Sequence, residues 1–212
     1  MQILSHRGWW NQPAEKNTPA AFARSFAAGF GTETDLRDLQ RRLVISHDPP
    51  ADGAWTAEEF FALHAQLGPG LPLALNVKAD GLQSLFAECF SRYGLAEAFL
   101  FDMSVPDALV YHRRGLPFFT RQSELEPQPA LYREAQGVWL DSFFDEAWII
   151  PAVLDAHLAA GKRLCLVSPE LHGRDPARFW EQLYLYPARA DSRLLLCTDR
   201  PDEAQRLGLA AA

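Results

Sequence analysis

Thr32-Glu33-Thr34-Asp35-Leu36-Arg37-Asp38, followed after a short break by Leu43-Val44-Ile45-Ser46-His47-Asp48, carries the decisive pattern of this chain. Side chains alternate across a β-strand, so Glu33 and Asp35, two residues apart, project from one wall. Two carboxylates so placed suit a hard divalent cation. If the second apolar run pairs with the first as a hairpin, His47 folds back over that cation. Carboxylates with a histidine point to metal-assisted acid–base chemistry. Taken alone, the stretch fits an edge hairpin with solvated acids and a surface histidine equally well.

Outward from this stretch, short β-rich runs are each followed by a run of helical period, and eight such units fill the chain. The expected strands are Gln2–Gly8, Gly31–Leu39, Leu71–Ala79, Ala98–Met103, Leu116–Gln122, Gly137–Phe143, Arg163–Pro169 and Arg193–Thr198. The expected helices are Asn17–Phe30, Thr56–Leu67, Leu82–Tyr93, Val105–Arg114, Ala130–Ala135, Ile149–Ala160, Pro176–Tyr186 and Asp202–Leu207. Local signals agree. Asn17 or Thr18 can cap the first helix with Pro19 in its first turn, Thr56 with Glu59 makes a capping-box pattern, and Gly94 and Gly161 close two helices. Strands alternating with helices imply a parallel sheet. Eight units predict one α/β domain over residues 1–212, a (β/α)8 TIM barrel with a small hairpin insertion after strand 2. A doubly wound open sheet is the runner-up, and the acid-and-proline loop Ser123–Pro129 is the only weak boundary signal.

Composition narrows the function. A chain of 212 residues, 48% hydrophobic and 22% charged, is ordinary for a globular domain. A formal net charge of −7 without a Lys/Arg block opposes general affinity for nucleic acid or anionic membrane, so a small anionic substrate needs a local basic site. The N-terminal apolar run is too short for a signal segment and too polar for a span, which predicts a soluble, cytoplasmic protein. Cys89, Cys165 and Cys197 are odd in number, lack metal-type spacing and sit among apolar neighbours, so they are expected to be free. Nothing in the sequence fixes the oligomeric state.

In a barrel the chemistry gathers at the C-terminal strand ends. Those ends carry His6-Arg7-Gly8, Glu33 and Asp35, Asn76 and Lys78 on one face, then Asp102, Arg121, Asp141, Ser168-Pro169-Glu170 and Asp199. Such a polar ring argues more for a site than for a core. His172, in the loop after strand seven, is as well placed to touch substrate as not. Trp9 and Trp10 fit either a pocket rim or packing across the barrel mouth. His64, His112 and His157 lie in helical runs and read as surface or structural residues. Phe179, Trp180, Leu183 and Tyr184 have the spacing of a packed helix face.

The ordered set His6-Arg7-Gly8, Glu15-Lys16-Asn17-Thr18 with Ala21-Phe22, Glu33-Thr34-Asp35, His47-Asp48 and Lys78 resembles the glycerophosphodiester phosphodiesterase (GDPD) family, within the phosphatidylinositol-specific phospholipase C-like barrels. Thr198-Asp199-Arg200-Pro201 is similar to that family's final strand. The resemblance implies His6 and His47 as an acid–base pair, Arg7 and Lys78 as phosphate contacts, and Glu33 and Asp35 as ligands of one divalent ion, Mg²⁺ or Ca²⁺. Arg121 and His172 are added as substrate contacts and Asn76 as the third ligand. The implied activity is hydrolysis of a glycerophosphodiester or a related polar phosphodiester.

Two positions depart from the family pattern. Lys16 intervenes before Asn17-Thr18, where the family has Glu, which leaves Glu15 without an assigned role. Asn76 replaces the Glu usually found two residues before the strand-three lysine; its amide oxygen can ligate but brings no charge, so Asp102, Asp141 or Glu170 could help. The rival readings are a lyase that stops at a cyclic phosphate and a catalytically weak barrel that binds phosphorylated ligands.

Overall fold

The computed structural model of the protein describes residues 1–210. Its strands are β1 (Gln2–His6), β2 (Gly31–Leu39), β3 (Arg42–Ile45), β4 (Leu73–Val77), β5 (Ala98–Phe101), β6 (Phe119–Gln122), β7 (Gly137–Leu140), β8 (Arg163–Val167) and β9 (Leu194–Thr198). All but β3 run parallel in the order β5-β4-β2-β1-β9-β8-β7-β6. The ends of that row meet at one bridge, Leu100 with Phe118, which brings the sheet nearly to closure. The expected eight-stranded α/β barrel forms, and the open-sheet alternative falls away. β3 returns antiparallel along β2 through a two-residue turn at Gln40 and Arg41, both at positive φ, as a hairpin turn of primed type requires. This is the expected insertion.

Helices α1 (Pro19–Ala27), α2 (Ala57–Leu67), α3 (Gln83–Tyr93), α4 (Val105–Arg113), α5 (Pro151–Ala159), α6 (Ala177–Leu185) and α7 (Pro201–Arg206) coat the sheet. Thr18 caps α1 by accepting from the Ala21 amide, and Thr56 with Glu59 forms the full capping box of α2. Each such cap contributes about 1 kcal/mol. Gly94 ends α3 in the left-handed conformation.

The expected helix Ala130–Ala135 is absent, and only turns follow β6. The run is short, Pro127 and Pro129 hold its approach extended, and Leu131 sits at φ 54, outside the helical region. A polar network occupies its place. His157 on α5 donates from Nε2 to Gln122 Oε1 (2.7 Å) and accepts from the Tyr132 hydroxyl (2.8 Å), while Lys162 Nζ donates to the Ala135 carbonyl (2.6 Å). His64 is likewise buried and bonded, to the Leu71 carbonyl at 3.0 Å, and His112 is exposed, so these three histidines are structural or superficial as read.

Strand alternation separates two apolar layers around the sheet from a core inside it. Leu4, Ala74, Phe99, Phe101, Phe119, Trp139, Cys165, Val167, Leu195 and Cys197 fill the barrel. Phe99 stacks on Phe119 at 3.7 Å between centroids and Phe101 on Trp139 at 3.9 Å, making a plug on which polar side chains can rest. Gly137 has no room for a Cβ, which would meet the Phe119 ring and the Arg163 carbonyl. The three cysteines are free and buried. Phe179, Trp180 and Leu183 are buried on α6, with Tyr184 outside. Among the described residues no helix is long and apolar enough to cross a membrane.

Candidate active site

Inward-facing positions one step above the aromatic plug are polar. Leu4 faces the barrel interior, so His6, two residues on, does too. The register of β1 and β2 sets His6 beside Glu33, and that of β2 and β4 sets Asp35 beside Asn76. Across the mouth the same alternation carries inward facing from Phe119 to Arg121 and from Trp139 to Asp141. His6, Arg7, Glu33, His47, Asn76, Lys78, Arg121 and His172 line one cavity of about 310 Å³, with Asp35 buried behind it. That volume is in the range of a small-ligand site.

His6 Nδ1 lies 2.7 Å from Asp199 Oδ1. Since a carboxylate only accepts, Nδ1 carries a proton, and Nε2 faces Glu33 Oε2, 3.9 Å away. Burial pushes the His6 pKa down despite Asp199, and the Arg7 and Lys16 charges push the same way. Burial alone would raise Asp199; the His6 hydrogen bond and the charges of His6 and Lys16 outweigh it and hold the carboxyl below its ordinary value. Lys16 Nζ lies 3.5 Å from Asp199 Oδ2 and 4.5 Å from the centre of the Trp10 ring.

Asp35 is fully buried and gathers cations and an amide. Arg7 Nε is 2.9 Å from its Oδ2, Lys78 Nζ 3.4 Å from its Oδ1, and Asn17 Nδ2 donates to Oδ2 at 2.9 Å. Asn17 is fixed in turn by the Thr34 hydroxyl, which donates to its Oδ1 at 2.9 Å. Burial, and then repulsion from Asp35, raise the Glu33 pKa well above the carboxylate range; Arg7, Lys78 and the Asn76 amide offset only part of this. Glu33 Oε2, Asp35 Oδ1 and Asn76 Oδ1 are buried and receive no hydrogen bond. Asp35 Oδ1 faces only the Lys78 ammonium, 3.4 Å away, and the three oxygens, on neighbouring strands, make a set of hard donors that fits a divalent cation. Among the described residues no three His, Cys, Asp or Glu gather to hold a metal ion.

The acids considered as helpers for Asn76 are engaged elsewhere. Asp102 pairs with Arg121 Nη1 at 3.2 Å, Asp141 accepts from His172 Nε2 at 2.7 Å, and Glu170 accepts from the hydroxyls of Ser168 and Thr198 and from the Asp199 amide. Glu15 faces outward to Arg24 Nη2 at 3.0 Å and the Asn11 amide at 3.0 Å, clear of the cavity. His47 stands at the solvent edge, its side chain 46% exposed and its Nδ1 2.9 Å from Asp48 Oδ1. Trp9 packs edge-on against Phe30, whereas Trp10 donates to the His6 carbonyl at 3.2 Å and lies under Lys16. Sequence reasoning gave Asn17 only a capping role, Lys16 none, and Asp199 only a place in the ring of strand ends. The first two lay in a recognised motif and the third ended a strand, but their pairings are not local.

The nearly closed barrel is similar in fold to solved glycerophosphodiester phosphodiesterases and to a phosphatidylinositol-specific phospholipase C. A glycerophosphodiester phosphodiesterase from Agrobacterium tumefaciens str. C58 superposes with a TM-score of 0.69 at 17% identity, over 99% of this chain and 100% of that one. An Oleispira antarctica phosphodiesterase, solved in complex with the product sn-glycerol-3-phosphate, gives 0.70 at 14% identity over 99% and 97%. A Ca²⁺-dependent phosphatidylinositol-specific phospholipase C from Streptomyces antibioticus gives 0.59 at 13% identity over 97% and 95%. No family model and no curated protein sequence matches the chain.

Proposed function

We propose that this chain is a cytoplasmic, single-domain, metal-dependent phosphodiesterase that hydrolyses a glycerophosphodiester or a related polar phosphodiester. The observation that carries the reading is the trio of buried oxygens on Glu33, Asp35 and Asn76 beside a histidine polarised by Asp199. A barrel that merely binds phosphate needs neither. Support from the fold comes from neighbours named as phosphodiesterases, one of them holding sn-glycerol-3-phosphate.

Glu33, Asp35 and Asn76 would hold one Mg²⁺ or Ca²⁺, which when bound supplies Lewis-acid polarisation of the phosphate. Arg7 offers a planar fork and Lys78 a point charge to the phosphate oxygens. Arg121 and His172 meet the rest of the substrate on the opposite wall. His6, its Nδ1 proton held by Asp199, takes a proton at Nε2 from water. The water oxygen bonds to phosphorus, the bond from phosphorus to the leaving alcohol breaks, and His47 gives its proton to the departing oxygen. His47 fits the acid role because the solvent edge lets it recover a proton from bulk water.

Burial disfavours the imidazolium of His6, so its base form persists below the ordinary histidine pKa of about 6.5. Activity is lost as pH falls through the lowered value, and the acid limb of kcat/KM is expected below about pH 6.5. A limb above that value would remove His6 as the base.

The reading is tested with a panel of phosphodiesters assayed in Mg²⁺, Ca²⁺ and Mn²⁺, and again with chelator. Turnover that chelator abolishes is expected. Absence of turnover under every condition would favour the binding barrel, and a cyclic phosphate as the final product would favour the lyase.

A further inference from the structure

Ser168-Pro169-Glu170, a strand end of the polar ring, takes no part in the proton transfers assigned to His6 and His47. The segment leaves β8 as a tight 3₁₀ turn, Pro169–His172, closed by Gly173 in the left-handed conformation at φ 74. Both sides of the turn are anchored. The Ser168 amide donates to the Cys197 carbonyl on β9 at 3.0 Å, and His172 reaches Asp141 just past the end of β7. Glu170, between them, turns toward β9.

The last register pair of β1 with β9 is Ser5 with Thr198, so Asp199 is the first residue beyond the ladder and its amide needs a partner elsewhere. Glu170 Oε1 accepts from that amide at 3.1 Å and also from the Thr198 hydroxyl. Glu170 Oε2 accepts from the Ser168 hydroxyl, whose oxygen accepts in turn from Trp180 Nε1 at 2.8 Å. Trp180 is itself buried in the apolar layer that α6 packs against the sheet. A continuous line of hydrogen bonds therefore runs from α6 through Glu170 to Asp199 and ends on His6 Nδ1. All three donors on Glu170 are neutral, and a carboxylate accepts from them at both oxygens, whereas an amide in its place would set an N–H against one of them.

We infer that Glu170 is a positioning residue of the reaction: it fixes the end of β9 so that the Asp199 carboxylate meets His6 Nδ1, and so sets where Nε2 points in the cavity. This rests on the phosphodiesterase reading with His6 as its base. Glu170 touches neither substrate nor cation; it acts through Asp199.

The test is a double-mutant cycle of Glu170→Gln with Asp199→Asn, assayed with divalent cation on a diester that the wild type hydrolyses. Glu170→Gln is expected to lower kcat by about tenfold to a hundredfold with KM nearly unchanged, because a misaimed base costs the transition state and not binding. In the Asp199→Asn background the same substitution is expected to cost less than about twofold, since its route to His6 is already cut. The second readout needs no turnover. In protein with isotope-labelled histidine, the Nδ1 proton of His6, assigned by its displacement in Asp199→Asn, is expected to leave its hydrogen-bonded position or be lost to exchange in Glu170→Gln. Should Glu170→Gln fail to fold, Glu170→Asp, which keeps the charge and withdraws it from Thr198 and Asp199, takes its place with the same expectations. Unchanged kcat, an unmoved resonance, or a full further loss in the Asp199→Asn background would overturn the positioning role and leave the phosphodiesterase reading intact. A lowered Tm with kcat and resonance unchanged would make Glu170 a structural acid and also overturn it. No turnover of any diester by the wild type would overturn the phosphodiesterase reading, and the part of Glu170 in it, whatever the resonance shows.

Discussion

His6→Ala is expected to lower kcat/KM by on the order of 10²-fold to 10⁴-fold, and His47→Ala by a similar factor, because each removes one proton transfer from a single step. The double variant should lose little beyond the worse single, since groups acting as a unit are not additive. A nitrophenyl diester separates the roles. Its leaving oxygen needs no proton, so it should restore turnover in His47→Ala and leave His6→Ala impaired. Near-wild-type turnover in either single variant would remove that histidine from the mechanism, and rescue of both would contradict the division between base and acid. The assignment of His6 to the base rests on the 2.7 Å contact with Asp199, which leaves only Nε2 free to accept.

Glu33→Gln has the second largest expected effect, and it acts in opposite directions on stability and activity. In the folded chain burial and Asp35 raise the Glu33 pKa. The group's contribution to stability is therefore fully present below its unfolded value near 4.3, and is lost as pH rises through the raised folded value. At neutral pH the cation-free fold carries this cost. Glutamine keeps the shape and removes the charge, so the variant's Tm without divalent cation should rise, by about 2–8 °C for a chain of this size. Addition of Mg²⁺ or Ca²⁺ should raise the Tm of the wild type by linkage and leave the variant nearly unmoved, with turnover lost. A lower Tm together with a retained cation response would show that Glu33 is a structural acid.

The strands and the hairpin were legible because period-2 alternation is a local signal, and a barrel converts it directly into an inner and an outer face. Glu33 and Asp35 could thus be placed on one wall, and Asn76 and Lys78 on the next, before any coordinates. The missing helix after β6 shows the limit of the same logic. Ala130–Ala135 has helix-forming residues but too few to nucleate without packing, and Tyr132 and Lys162 satisfy the segment in another conformation.

Long-range pairings were not legible. Asp199 meets His6 across 193 residues, and Asp141 meets His172 across 31. Nothing near either residue in sequence marks its partner; only closure of the barrel brings β9 beside β1. For the same reason Asp102, Asp141 and Glu170 looked available to help Asn76, when each already had a partner on its own side of the mouth. Glu15 turns away to Arg24, and Lys16 reaches Asp199 instead. The added cation in that loop changes which residue faces the site.

A calorimetric titration of divalent cation into wild type, Asn76→Asp and Asn76→Ala tests the cation site most directly. If the buried oxygens of Glu33, Asp35 and Asn76 form it, Asn76→Asp adds a third negative charge at nearly constant volume, and Kd should fall about tenfold or more. Asn76→Ala should raise Kd by a similar factor. The same affinity in all three proteins, or no cation bound by any of them, would contradict the site and the chemistry built on it.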